Sequence, residues 1–205
     1  MELSHALSDA AVALTAGAAL SALLRVRTPT TRASLTAAAL AFAAIAAAAT
    51  VGVLRFLGLD GLTAAHDALS GLATCTAMPT LGAAAILLSR GRAGSDAAWR
   101  LWLIALLVGY VASTLAGVRG PYGLTIGALG TVAIAVAGSR LYALDRRGGA
   151  LLLGGAGLVL VAGLAVGTEG ELGPFARIDL FHYLLAVANL GLAAGLARLA
   201  RRLAS

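Results

Sequence analysis

The chain has 205 residues, of which 60% are hydrophobic and 12% are charged, and its formal net charge is +6. Soluble domains carry about a quarter of charged residues, so this composition, with a mean hydropathy of +0.93, excludes a protein whose whole surface faces water. The apolar runs are continuous rather than alternating, which excludes a β-barrel and predicts an all-α, polytopic membrane protein.

Seven apolar segments are long enough to cross a bilayer, which takes about 20 helical residues. Clusters of Gly, Pro and charged residues separate them, as is typical of turns. The sequence therefore predicts one seven-helix transmembrane domain over residues 1–205. Because no basic residue precedes Arg25, the first helix is expected to be a span rather than a cleaved signal peptide. The spans are predicted, in chain order, near residues 4–24, 33–57, 62–89, 97–117, 121–143, 149–167 and 178–198.

Arginine supplies all 15 basic residues, and the arginines divide unevenly between the two ends of the predicted bundle. Arg55, Arg119 and Arg177 fall at the end where the N-terminus lies. The remaining arginines fall at the other end, at positions Arg25, Arg27, Arg32, Arg90, Arg92, Arg100, Arg140, Arg146, Arg147, Arg198, Arg201 and Arg202. The positive-inside rule places this richer end in the cytoplasm. We therefore expect an outer N-terminus and a cytoplasmic C-terminus in a bacterial inner (plasma) membrane, and no nucleic-acid partner.

Three histidines, His5, His66 and His182, open the first, third and seventh predicted helices. Each of these helices begins at the outer end of the bundle, because the chain crosses the membrane an even number of times between them. The sequence therefore predicts that the three imidazoles lie at a similar depth, near the outer face.

Each of these histidines has an aspartate nearby. Asp9 follows the first histidine by four residues and Asp179 precedes the third by three, so each pair shares one helix face. Asp67 directly follows the second histidine and points about 100° away from it. Two further residues are expected to support the site: Ser70 shares a face with the second histidine, and Asn189 lies two turns below the third.

A bound metal ion accounts for this pattern. A carboxylate in the hydrocarbon costs roughly 2.5–3.5 kcal/mol on insertion scales, so polar pairs at one depth favour a bound partner. Neutral imidazole is the commonest metal ligand, and three histidines with an open position make a catalytic Zn²⁺ set. We predict Zn²⁺ held by His5, His66 and His182. Asp67 or Asp179 then orients a ligand or acts as general base in a hydrolase of a lipid-like amide or ester.

Other interpretations stay open. The same residues can carry protons or a cation in a transporter or sensor. His66 and His182 can instead ligate a haem from two facing helices. In a structural subunit, His5 lies in a solvated terminus, His66 lies at headgroup depth, and His182 forms a local pair with Asp179.

Glycines that recur every four residues predict close helix packing. Packing within the chain is the first interpretation, and a homodimer through a small-residue face is the second. Membrane lipid is the other expected partner. The pairs are Gly123 with Gly127, Gly163 with Gly167, and Gly191 with Gly195.

The predicted topology, with Asp67 opening the third helix and His182 the seventh, resembles the superfamily of alkaline ceramidases and progestin/adiponectin receptors. The resemblance implies a seven-helix membrane hydrolase with Zn²⁺ on three histidines, in which His182 matches a seventh-helix ligand and Asp67 the third-helix aspartate. The chain departs from the family pattern at Ala186, where HxxxH has its second histidine. The family also has a serine and a histidine near the end of the second helix, and no histidine lies there in this chain. His5 and His66 would have to replace the missing ligands.

Overall fold

The computed structural model describes residues 2–204, with side chains as far as residue 203. Seven helices in this part of the chain are long and apolar enough to cross a membrane, as the sequence predicts. They are α1 (Glu2–Arg25), α2 (Arg32–Phe56), α3 (Thr63–Ser89), α4 (Asp96–Leu115), α5 (Arg119–Leu144), α6 (Arg146–Leu160) and α7 (Arg177–Ala204). Helix α6 reaches the length of a span together with the π-helical segment that follows it, over Arg146–Val166.

The helix ends differ from the predicted spans by a few residues, with two exceptions. Helix α7 continues well beyond residue 198, to Ala204, and α6 ends as an α-helix at Leu160, well before residue 167. A 3₁₀ turn, Asp60–Leu62, leads into α3. A π-helical segment, Val161–Val166, continues α6 and ends at Gly167, whose φ of 69° lies in the left-handed region that favours glycine.

One local structure was not predicted from the sequence. The connection between α6 and α7 contains a short antiparallel hairpin, in which β1 (Glu171–Leu172) pairs with β2 (Phe175–Ala176). The Arg177 side chain anchors this connection, because its Nη1 donates to the carbonyl oxygen of Val166 and its Nε to that of Glu171.

Six of the helices form a closed ring in the order α1–α2–α3–α5–α6–α7, with α7 packed back on α1. Helix α4 lies outside this ring and packs mainly on α3. Most of its large apolar side chains are therefore exposed, among them Leu101, Ile104, Val108 and Leu115. The main core lies between the ring helices and is built from large side chains such as Phe42 and from many alanines.

Close helix approaches occur where glycines face a neighbouring backbone. A Cβ at Gly130 in α5 would lie 2.4–2.5 Å from backbone atoms of Met78 and Pro79 in α3. In α7, Cβ atoms at Gly191 and Gly195 would meet α6 at 3.2 Å or closer. The small-residue face of α7 is therefore covered by α6 within the chain, which agrees with the first interpretation of the glycine pairs.

Ionic contacts close the arginine-rich end, which consists of the α1–α2, α3–α4 and α5–α6 connections and the end of α7. Arg198 pairs with Asp145 at 3.0 Å, and Asp145 caps α6 by accepting from the Gly148 N–H. The Gly148 N–H first, and the Arg198 guanidinium second, hold the pKa of Asp145 below its ordinary value despite some desolvation. This contact ties α7 to the α5–α6 connection.

Candidate functional site

The start of α7 is joined to the start of α1 through the Asp179 carboxylate, which is 4% exposed. Asp179 accepts hydrogen bonds from the hydroxyls of Ser4 and Ser8, the latter at 2.8 Å. His5 Nδ1 lies 2.8 Å from Asp179 Oδ1. Residues 4, 5 and 8 fall within about one helical turn of α1, so one carboxylate of α7 contacts all three.

A second carboxylate–imidazole pair lies beside the first. His182 Nδ1 is 3.2 Å from Asp9 Oδ1, and the Ser8 hydroxyl oxygen is also 3.2 Å from His182 Nδ1. Ser8 therefore contacts both pairs. The sequence places His5 on one face with Asp9, and Asp179 on one face with His182. In the structure, each imidazole instead pairs with the carboxylate of the other helix.

The third histidine reaches the same region from α3. Gly52 in α2 leaves the space: Asp9 Cγ and His66 Cε1 both lie 2.9 Å from the position that a Cβ on Gly52 would occupy. His66 Nδ1 lies 3.2 Å from the Ala48 carbonyl oxygen, and its Nε2 lies 3.5 Å from the Ser70 hydroxyl. The three histidines, one each from α1, α3 and α7, therefore lie in one region.

These side chains are called the histidine cluster below, and they belong to Ser4, His5, Ser8, Asp9, His66, Asp179 and His182. One atom of the cluster has no protein partner: Asp9 Oδ2 is buried and makes no hydrogen bond among the described residues. A buried carboxylate oxygen without a donor is costly. The cluster therefore contains one buried acceptor that no described residue uses.

An aromatic side chain at the end of α2 lies between two of the histidines. The Phe56 ring centroid is 5.1 Å from that of His5 and 6.4 Å from that of His66. The Arg55 guanidinium carbon lies 4.3 Å from the Phe56 ring centroid. Phe56 thus borders the cluster on the side of α2, and an arginine covers its ring.

Two predicted site residues lie apart from the cluster. The Asp67 side chain is exposed and makes no hydrogen bond or ion pair with any other described residue. Asn189 is buried further along α7, where its Nδ2 lies 3.5 Å from the Thr15 hydroxyl of α1. Asn189 therefore contributes to the α1–α7 contact below the cluster.

Sequence reasoning missed four contributors: Ser4, Ser8, Gly52 and Phe56. The spacing of Ser4 and Ser8 placed them one turn apart on a polar helix start, which is a usable signal. Gly52 and Phe56 gave no such signal, because their role depends on how α2 packs between α1 and α3.

Among residues 2–204, no group of three or more His, Cys, Asp and Glu side chains is placed so that it could hold a metal ion. All three histidines nevertheless direct Nδ1 at a carboxylate or carbonyl oxygen. The Zn²⁺ and haem interpretations stay predictions, as does the catalytic role of Asp67 or Asp179.

Comparison with known proteins gives no relative of this chain: no protein-family model, no curated protein and no solved structure matches it. The resemblance to the alkaline ceramidase and progestin/adiponectin receptor superfamily therefore stays a prediction.

Proposed function

We propose that the chain is a multi-pass protein of the bacterial inner membrane, with its N-terminus outside, in which the histidine cluster binds protons or a cation from the outer side. Its binding state controls the contact between α1 and α7, so that the protein acts as a proton- or cation-coupled sensor or transporter. Seven apolar helices and the uneven distribution of arginine support the membrane placement.

One observation carries this proposal: a continuous chain of hydrogen-bonding groups connects α1 and α7. The chain leads from Asp9 through His182, Ser8 and Asp179 to His5. Chains of Asp and His within membrane spans are typical of proton pathways. Imidazole changes its charge between about pH 5 and 8. A proton gained by the cluster changes the balance of donors and acceptors in every one of these contacts.

The test is a pH titration of the purified protein and of the protein in liposomes. Hydrogen exchange at the starts of α1 and α7 is expected to change as the pH is lowered and the cluster gains a proton, and His182→Gln is expected to remove that change. Asp67→Asn is the matched control, because Asp67 is exposed and lies outside the cluster. An unchanged pH response in His182→Gln contradicts the proposal.

A dye that reports internal pH then separates the two modes of action. Proton uptake into liposomes that depends on His182 indicates a transporter. A pH-dependent change in the helices without uptake indicates a sensor.

A zinc hydrolase is the second candidate, favoured by the Nδ1 contacts of the three histidines. Metal-ligating histidines ordinarily anchor one ring nitrogen on a carboxylate or carbonyl and bind the metal through the other. His5, His66 and His182 would hold the ion, which supplies Lewis acidity and activates water. Asp179, already hydrogen-bonded to His5, would orient that ligand or accept a proton, and a lipid-like amide or ester is the substrate class.

Element analysis and an absorption spectrum of the purified protein decide between these candidates. Stoichiometric zinc that is lost in His182→Ala supports the hydrolase and contradicts a cluster that binds protons alone. A Soret band supports haem on His66 and His182. Full zinc occupancy in His182→Ala contradicts the three-histidine site.

A further inference from the structure

A cavity of about 830 Å³ opens at the arginine-rich end, far from the histidine cluster, between the α1–α2 and α3–α4 connections. Arg27 and Arg32 line it with positive charge, and Asp96 supplies a carboxylate. Leu24 and Ala33 give it an apolar side. A cavity of this composition suits an amphipathic ligand with a negative head.

Hydrogen bonds hold the walls of the cavity in place. The Ser34 hydroxyl and Trp99 Nε1 both donate to the carbonyl oxygen of Ala93, at 2.6 and 2.9 Å. These bonds fix the start of α2 and the start of α4 to the α3–α4 connection. In the α1–α2 connection, the Thr28 N–H donates to the Thr31 hydroxyl at 3.1 Å. The cavity is therefore preformed rather than dependent on a ligand.

Both arginines keep donors that the described protein does not use. Arg27 donates from Nε to the Leu24 carbonyl and from Nη1 to the Thr36 hydroxyl, each at 3.1 Å. Arg32 donates from Nη2 to Asp96 at 3.1 Å. These contacts position the guanidinium groups and leave Nη2 of Arg27 and Nε and Nη1 of Arg32 without a partner among the described residues.

We propose that this cavity binds a phosphate group, carried either by the headgroup of an anionic phospholipid or by free phosphate. Guanidinium matches the oxygen geometry of phosphate. Basic pockets between spans on the cytoplasmic side suit anionic headgroups. Trp102 is partly exposed in the first turns of α4, which is the depth of interfacial aromatic residues. The apolar side at Leu24 and Ala33 lies where the acyl chains of such a lipid would begin.

The experiment titrates the full-length protein in neutral detergent with short-chain phosphatidylglycerol, short-chain diacylglycerol and inorganic phosphate, with calorimetry as the readout. Arg27→Gln combined with Arg32→Gln removes the two cavity arginines. Arg146→Gln combined with Arg147→Gln is the matched control, because it removes equal charge at the same end outside the cavity.

Phosphatidylglycerol is expected to bind the wild type and the control alike. The cavity variant is expected to bind it at least about tenfold more weakly, since it loses charge-assisted hydrogen bonds. Competition by inorganic phosphate identifies free phosphate as a ligand, whereas binding of the lipid that phosphate does not displace identifies the headgroup. Both outcomes support a phosphate site.

Equal weakening in the two double variants overturns the proposal, because it shows general attraction to positive charge. Binding of diacylglycerol as tight as that of phosphatidylglycerol overturns it as well. Should the glutamine variant fail to fold, Arg27→Lys combined with Arg32→Lys keeps the charge and loses the paired donors. Weakened binding in that variant supports the site, and unchanged binding overturns it.

Discussion

Replacing Gly52 with alanine tests whether α1 and α3 bring Asp9 and His66 together against α2. The new Cβ would lie 2.9 Å from both Asp9 Cγ and His66 Cε1. Ordinary contacts between carbon atoms are about 3.5–4.0 Å. Both side chains must therefore move by more than half an ångström, and Asp9 must move furthest because its Oδ2 lies closest to the new Cβ. Asp9 is already buried and paired with His182.

The expected magnitude follows from two opposing effects. Gly→Ala in a helix interior stabilises by about 0.5–1 kcal/mol, whereas overpacking a well-filled interior costs about 1–3 kcal/mol. We expect Gly52→Ala to lose about 1–2 kcal/mol of unfolding free energy. Gly17→Ala in α1 is the matched control, because a Cβ there meets nothing within 4 Å and should gain up to about 1 kcal/mol.

The assay is reversible unfolding in mixed micelles, with thermal unfolding as a second measurement. Asp9→Ala is added to the Gly52→Ala background, so that a double-mutant cycle isolates the contact. If Asp9 causes the clash, its removal relieves part of the loss. Gly52→Ala as stable as Gly17→Ala would refute the convergence of Asp9 and His66 beside α2.

Three further outcomes are expected from the same structure. Gly130→Ala meets the backbone of α3 and should destabilise by about 1–3 kcal/mol in the micelle assay, whereas Gly157→Ala, with open space around it, should not. Ser8→Ala removes the hydroxyl that contacts both carboxylate–imidazole pairs and should cost about 1–3 kcal/mol, without loss of helix content by circular dichroism. Because its pKa is lowered, ionised Asp145 stabilises the fold above about pH 4. This stability is lost as the pH falls through the lowered pKa, where Arg198 lacks a charged partner in the wild type as it does in Asp145→Asn. Acid titration should therefore abolish the difference in stability between the two proteins.

The seven helices were predictable because a bilayer span needs length and apolar composition, both of which the sequence displays directly. The common depth of the three histidines was predictable from counting spans. The pairing of imidazoles with carboxylates was not, because spacing tells which residues of one helix share a face. It does not tell how that helix is rotated toward its neighbours. His5 and Asp9 therefore looked like a local pair, although each contacts α7.

The hairpin between α6 and α7 escaped prediction for a different reason. Its strands have two residues each, which is too short for any alternating pattern. Its position depends on Arg177, whose contacts with Val166 and Glu171 join residues that the sequence separates. Close approaches at Gly191 and Gly195 were predictable in kind from the glycine spacing, but their partner helix was not, and the approach at Gly130 was not predicted.

The histidine cluster lies at the seam where the first and last helices close the ring. The apolar packing near that seam uses small side chains, such as Ala16 in α1 and Ala186 and Ala193 in α7, and small side chains bury little area per residue. The polar contacts at the starts of α1 and α7 add to this apolar packing. This closure of the seam through ionisable groups is the basis of our proposal that the contact between α1 and α7 responds to protons or cations bound by the histidine cluster.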